Sequence, residues 1–169
     1  PMRTGSHVGF TKPVIMDYRF GWNFQPTGMV SGAQSPNSPI TTTNDRPAKA
    51  PNFDSDLKLA SFNVLNYFTD LGKDEDGCKA YTDRTGTPVT ANFCTVRGAY
   101  TREAFHDQQA KIVTAINGLD ADVVALMEVE NSASITYLPG QPRDKALANL
   151  VDELNKAAGS QVWGYVASP

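Results

Sequence analysis

Two apolar runs constrain this chain most: Ser61-Phe62-Asn63-Val64-Leu65-Asn66-Tyr67-Phe68, and Ala121-Asp122-Val123-Val124-Ala125-Leu126-Met127-Glu128-Val129-Glu130-Asn131. Short, nearly continuous apolar runs of this kind predict strands buried in a sheet covered by helices. Each run also places an uncharged amide or a carboxylate where the strand ends. A buried strand has no packing reason to finish on a lone Asn or an acidic pair. A divalent-cation site on top of a sheet supplies such a reason.

The intervening sequence predicts helices. Thr101 is an N-cap with Glu103 in the first turn, and the helix it opens runs to about Asn117. Phe105, Ile112, Val113 and Ile116, with the following Leu119, fall on one face. Gly118 is expected to end that helix, and the strand 122–129 follows at once. A second amphipathic helix is predicted near 144–158, striped by Leu147, Leu150, Val151 and Leu154 and stopped by Gly159. A last strand is predicted over 162–166. Strand, helix, strand, helix, strand makes this an α/β layered domain.

Upstream, residues 1–30 hold β-like pieces at 13–20 and 22–26 punctuated by Gly21. They are read as a hairpin that ends a preceding, OB-like β domain. Residues 31–55 are rich in Ser, Thr, Asn and Pro and read as a semi-extended linker. The α/β domain then occupies 56–169. The start at Pro1-Met2-Arg3 has no signal-peptide pattern, and 163–169 read as a strand with no closing element. The expectation drawn is a piece of a longer precursor.

Of the 169 residues 40% are hydrophobic and 20% charged, which is a globular composition. No stretch approaches the roughly 18 consecutive apolar residues of a membrane span. The net charge of -3 excludes binding to nucleic acid through bulk positive charge. It does not exclude nucleic-acid chemistry, because a metal ion supplies positive charge where a phosphate needs it. Cys78 and Cys94 flank a polar segment, 79–88, that reads as an exposed loop. Neither cysteine has the apolar surroundings of a buried thiol, so a disulfide closing the loop is expected, and with it an oxidising compartment. Two free surface thiols are the competing reading. Neither the spacing nor a nearby histidine supports zinc.

Glu128 and Glu130 lie two apart at a strand end, so both are expected on one side of the sheet with Val129 on the other. Paired carboxylates repel unless a hard cation bound by oxygen relieves them, and two solvated acids are the bland alternative. Asn63 interrupts its strand as a buried amide, either satisfied in the core or aimed at a carboxylate or a phosphate. Asn66 and Asn131 read as loop caps, His106 as an exposed helix residue, and His7 is uninformative. Gln109 and Lys111 are assigned to the polar side of the first helix. Arg84, Arg97 and Arg102 surround the loop and the helix start. Tyr67, Phe68, Tyr81, Phe93 and Tyr100 either stack on bases or pack the loop.

The segments 62–68 and 126–131, in that order, resemble the endonuclease/exonuclease/phosphatase superfamily. More narrowly, they are similar to its secreted bacterial ExeM/NucH-like extracellular nucleases. The stretches 97–105 and 109–113 and the linker Thr43-Asn44-Asp45-Arg46-Pro47 resemble the same branch. The resemblance covers about 43–169 and implies a four-layer, DNase I-like α/β sandwich, present here in part. It implies Glu128 as the metal-ligating carboxylate and Asn63 as the strand-end amide beside metal and phosphate. Mg²⁺ (or Mn²⁺ or Ca²⁺) is the implied cofactor, nucleic acid, DNA first, the implied substrate, and an extracellular or cell-surface bacterial setting the implied home. The Asp-x-Asn and Ser-Asp-His segments that supply base and histidine in that superfamily are absent. The chain alone is therefore expected to be catalytically silent. Two alternatives stay open: a phosphatase or phosphodiesterase on a small ester with the same fold, and a non-catalytic Ca²⁺-binding surface module.

Overall fold

The computed structural model describes residues 4–31, 35–45, 47, 51 and 53–169. The chain divides into two compact units, Pro1–Lys49 and Ala50–Pro169.

In the first unit, β1 (Val8–Phe10) pairs antiparallel with β4 (Ile40–Thr42), and β2 (Val14–Tyr18) pairs antiparallel with β3 (Trp22–Pro26). The hairpin expected around Gly21 forms. Its turn places Phe20 at φ 56° and Gly21 at φ 155°, and Arg19 N–H donates to the Gly21 carbonyl. Phe10 meets Phe24, and Tyr18 meets Trp22, edge to face. None of the unit's described residues is fully buried. Strand β4 lies inside the stretch read as linker, where it takes the free edge of β1. Positions 32–34, 46, 48–50 and 52 of that stretch, including the Arg46 of the resemblance, lie outside the described residues.

The second unit is built on β5 (Leu59–Tyr67) and β8 (Val123–Val129), paired parallel from Leu59↔Val123 to Asn63↔Met127. Between them come β6 (Lys79–Thr82), β7 (Pro88–Asn92) and helix α1 (Arg102–Gly118); helix α2 (Lys145–Ala158) follows β8. Thr101 Oγ1 accepts from Ala104 N–H as the N-cap of α1. The helix runs through Gly118 instead of stopping before it. Leu119 is still right-handed, and Asp120, at φ 51°, makes the turn into β8. In α2 the expected stop holds, with Gly159 left-handed at φ 72°.

Side-chain alternation sorts the parallel pair. Phe62, Val64, Val124 and Leu126 pack with Phe105, Ile112 and Ile116 of α1 and Leu150 and Leu154 of α2 in one core. Leu59, Leu65, Val123 and Met127 point the other way and are exposed. The apolar runs predicted cover on both faces; only one face is covered.

Two further expectations are corrected. The cysteine segment is not a loop but the antiparallel hairpin β6–β7, closed by a Cys78–Cys94 disulfide. Both sulfurs are half-buried against Ala91, Val96 and Ile135, so their surroundings are apolar after all. The strand expected over 162–166 does not form. Asn155 captures that segment from α2: its Oδ1 accepts from Val162 N–H and Trp163 N–H, and its Nδ2 donates to the Trp163 carbonyl. Trp163 Nε1–H donates to Asn117 Oδ1. A buried amide that meets these backbone groups removes the need for a sheet partner. The molecule is thus mixed α/β, with small two-stranded sheets and two helices. Among the described residues, no helix is long and apolar enough to cross a membrane.

Candidate functional site

The register of the parallel pair breaks at the carboxyl ends of its strands. Asn63 is opposite Met127, yet the next matched pair is Tyr67↔Val129, so Val64, Leu65 and Asn66 together oppose Glu128. This is a bulge of the kind that re-aims side chains next to functional sites. Its backbone is unusual: Leu65 and Asn66 have φ 54° and Glu128 has φ 64°. Asn tolerates left-handed backbone, whereas Leu and Glu do so at a cost of roughly 1–2 kcal/mol each.

That cost is offset by hydrogen bonds converging on one carboxylate. Asn63 Nδ2 donates to Glu128 Oε1 at 2.7 Å, and Asn66 backbone N–H donates to Glu128 Oε2 at 3.2 Å. Asn63 Oδ1 in turn accepts from Leu65 N–H at 2.8 Å, which fixes the amide orientation. Asn63 is thus not the buried core amide expected from its apolar neighbours: it stands exposed on the open face of the sheet. Asn66 is no loop cap either, since it lies in β5 and contributes its backbone N–H. Asn131 does precede a short 3₁₀ turn, its carbonyl accepting from Ser134.

The expected carboxylate pair separates. The left-handed residue at Glu128 breaks the alternation that would have aligned it with Glu130. Glu128 is exposed and Glu130 is 3% exposed. Glu130 Oε2 accepts from Thr69 N–H, Thr69 Oγ1–H and Ser132 Oγ–H, while Oε1 is buried without a hydrogen-bond partner. Burial pushes the Glu130 carboxyl above its usual range; the Thr69 donors oppose the rise and the charge of Asp70 adds to it. Asp70 is itself buried, paired with Lys145 Nζ at 2.7 Å and accepting from Gln141 Nε2. Among the described residues, no group of three or more His, Cys, Asp or Glu is placed to share a metal ion.

A single carboxylate is still a usable ligand. Two of its roughly four lone-pair sites are occupied by Asn63 and Asn66, which leaves room for one hard cation. Mg²⁺ is commonly held by one or two carboxylates with water and substrate phosphate completing an octahedron, whereas Ca²⁺ takes six to eight oxygen ligands. Glu128 with Asn63 therefore suits the smaller ion. Beside the bulge an open groove of about 760 Å³ runs between β5, the β6–β7 hairpin and α1. Asn63, Asn66, Arg97 and Lys111 line it, and so do the acids Asp83, Glu103 and Asp107.

Other candidates fall elsewhere. His106 is exposed with its ring against Phe105, and His7 is exposed near Asp45, in the first unit. Arg84 and Arg102 are exposed. Tyr67 is buried, Phe68 and Tyr100 are half-buried, and only Tyr81 and Phe93 of the five aromatics present exposed rings, with Lys79 Nζ 5.8 Å from the Phe93 centroid. Lys111 is on the exposed side of α1 as expected, but Gln109 is not: it is buried and donates to Tyr67 Oη and Asn149 Oδ1. Burial pushes the Tyr67 hydroxyl up to about 12. Gln108 went unnoticed, although both glutamines lie three and four residues after Phe105, on the buried stripe. Amides on an apolar stripe were the available signal.

Comparison of the chain with protein-family models, with curated proteins and with solved structures finds no match.

Proposed function

We propose that this chain carries part of the site of a secreted bacterial, metal-dependent phosphodiesterase of the endonuclease/exonuclease/phosphatase type, acting on nucleic acid and on DNA first. One observation carries the reading. At the carboxyl ends of two parallel strands, the usual place for ligands in α/β sheets, a carboxylate is clamped by an amide and a backbone N–H across three left-handed non-glycine residues. Backbone strain held in this way concentrates at functional sites.

In this reading Glu128 holds Mg²⁺, with Mn²⁺ able to replace it. Asn63 orients the carboxylate, and Arg97 and Lys111 offer charge to phosphates in the groove. The ion supplies Lewis-acid stabilisation of the phosphoryl oxygens. In the four-layer sandwich that the resemblance implies, the open face of β5 and β8 is the one a second sheet packs on. The disulfide fits an oxidising, extracellular setting. Among the described residues no histidine stands at Glu128 to activate water, so the chain by itself is expected to bind metal without turnover.

The test is Mn²⁺ binding by electron paramagnetic resonance on wild type and Glu128→Gln, with plasmid cleavage in Mg²⁺ run alongside. The reading expects binding that weakens at least about tenfold in the variant, since a carboxylate ligand is lost. Equal binding by both proteins refutes it. Cleavage by the chain that Glu128→Gln abolishes overturns the expectation of silence alone.

A further inference from the structure

We infer that Gln108 is a positioning residue for Glu128, acting through the β5 bulge. Its effect on the ion rests on the metal reading above; its effect on the bulge rests on hydrogen bonds alone. Gln108 Nε2 donates to the Val64 carbonyl at 3.1 Å and to the Leu65 carbonyl at 2.7 Å. These carbonyls belong to the same two peptide groups as the N–H of Leu65 and the N–H of Asn66. The N–H ends go to Asn63 Oδ1 and to Glu128 Oε2. Each peptide plane is therefore pinned at both ends, by helix α1 at its oxygen and by the site at its nitrogen.

A peptide group is planar and trans, so its C=O and N–H point in opposite directions. Holding the oxygen sets the direction of the N–H. Donation to a carbonyl also polarises the peptide and strengthens its N–H as a donor. The Asn66 N–H aimed at Glu128 thus depends on Gln108 twice, in direction and in strength. Gly98 closes the bulge from another side. A Cβ there would lie 2.6 Å from Phe68 Cβ and 2.8 Å from the Asn66 carbonyl oxygen, so only glycine permits the approach. Leu65 itself is 74% exposed and contributes little packing to hold this backbone. The bonds from Gln108 are what keeps the left-handed pair from relaxing.

The test compares Gln108→Met, of similar length but without a donor, and Gln108→Glu, isosteric but with oxygens facing the two carbonyls. Amide hydrogen exchange is read by NMR on the whole chain. Exchange of the Asn66 amide is expected to quicken about tenfold or more in both variants, because a buried hydrogen bond of about 1.4 kcal/mol corresponds to that factor. The amides of Ile112 and Val113 in α1 keep their wild-type rates. Mn²⁺ affinity is expected to fall about 10–100-fold, as it does when outer-shell partners of a metal ligand are removed. Asn66 exchange at the wild-type rate in folded Gln108→Met overturns the inference, and so does wild-type Mn²⁺ affinity in both variants. If wild type binds Mn²⁺ no better than Glu128→Gln, the metal reading falls, and Asn66 exchange still decides the role of Gln108.

Discussion

Removing the disulfide by Cys78→Ala with Cys94→Ala tests whether the β6–β7 hairpin is held by its cross-link or by its packing. The two cysteines are separated by 16 positions. Closing a loop of that length in the unfolded chain corresponds to about 3 kcal/mol at room temperature in the chain-entropy treatment. The half-buried sulfurs add a smaller packing loss against Ala91, Val96 and Ile135. The remaining bonds of the hairpin are local: Asp83 Oδ1 accepts from Thr85 N–H and Thr87 N–H in the turn, and Glu75 accepts from Thr95 N–H and Val96 N–H beyond it. They hold the native shape but do nothing to restrict the unfolded chain. The assay is urea unfolding followed by tryptophan fluorescence in a Trp22→Phe background, so that Trp163 reports the second unit alone. A loss of about 3 kcal/mol and a fall in Tm of about 10 °C are expected. The slope against urea should rise, because an unlinked unfolded chain exposes more surface. A loss below about 1 kcal/mol with unchanged slope refutes the reasoning, since the unfolded ensemble would then not be limited by the cross-link.

Tyr67→Phe removes a buried hydroxyl that donates to Asn149 Oδ1 and accepts from Gln109 Nε2, and should cost about 1–2 kcal/mol in the same urea assay. The Tyr67 hydroxyl is raised from its ordinary 10.0 to about 12, so the stability it contributes is complete below pH 10 and lost as the pH climbs towards 12. Melting temperatures across that range should fall less steeply for Tyr67→Phe than for wild type. Gly98→Ala should cost about 1–3 kcal/mol through overpacking against Phe68 and Asn66, and NMR should show the Asn66 amide shifted while the α2 amides stay put. Burial pushes the Glu75 carboxyl up, but the N–H groups of Thr95 and Val96 outweigh it and hold the group below its ordinary 4.5. Its contribution is therefore present above pH 4.5 and lost on acidification, and thermal scans below that pH should show a gentler acid slope for Glu75→Gln.

The parts of the fold legible in the sequence were those decided by local pattern. Thr101 as N-cap, the apolar stripes of α1 and α2 and the stop at Gly159 follow from helix periodicity and capping alone. The parts that were not legible depend on what a residue meets across the fold. Residues 162–166 have strand composition, yet no strand edge reaches them, and Asn155 satisfies the backbone of Val162 and Trp163 instead. Gln109 looked like a surface residue because polarity was weighed above its position on the stripe of Phe105 and Ile112. At the site, Asn63 and Glu128 were visible as oddities at strand ends. Their bond was not visible, because it needs a register that shifts between Asn63 and Tyr67. Strict alternation placed Glu130 beside Glu128, and one left-handed residue at Glu128 defeats that rule.

The same left-handed residue explains why the bulge is a designed feature and not a loose strand end. Three non-glycine residues at positive φ cost roughly 3–5 kcal/mol together, at about 1–2 kcal/mol each with Asn66 at the low end. Five hydrogen bonds offset this: two to the Glu128 carboxylate, one from Leu65 N–H to Asn63, and two from Gln108. At about 1 kcal/mol each they contribute close to 5 kcal/mol, so the arrangement is near balance. Near balance, no single bond is spare, and losing the pair from Gln108 tips the bulge towards ordinary strand geometry. In that geometry Leu65 and Asn66 would no longer be left-handed, and Asn66 N–H would turn away from Glu128. A carboxylate without that donor swings freely, and a cation held by one protein carboxylate has little else to locate it. The stability balance and the proposed chemistry thus depend on the same five bonds, which is why a helix residue that does not touch Glu128 decides where Glu128 points.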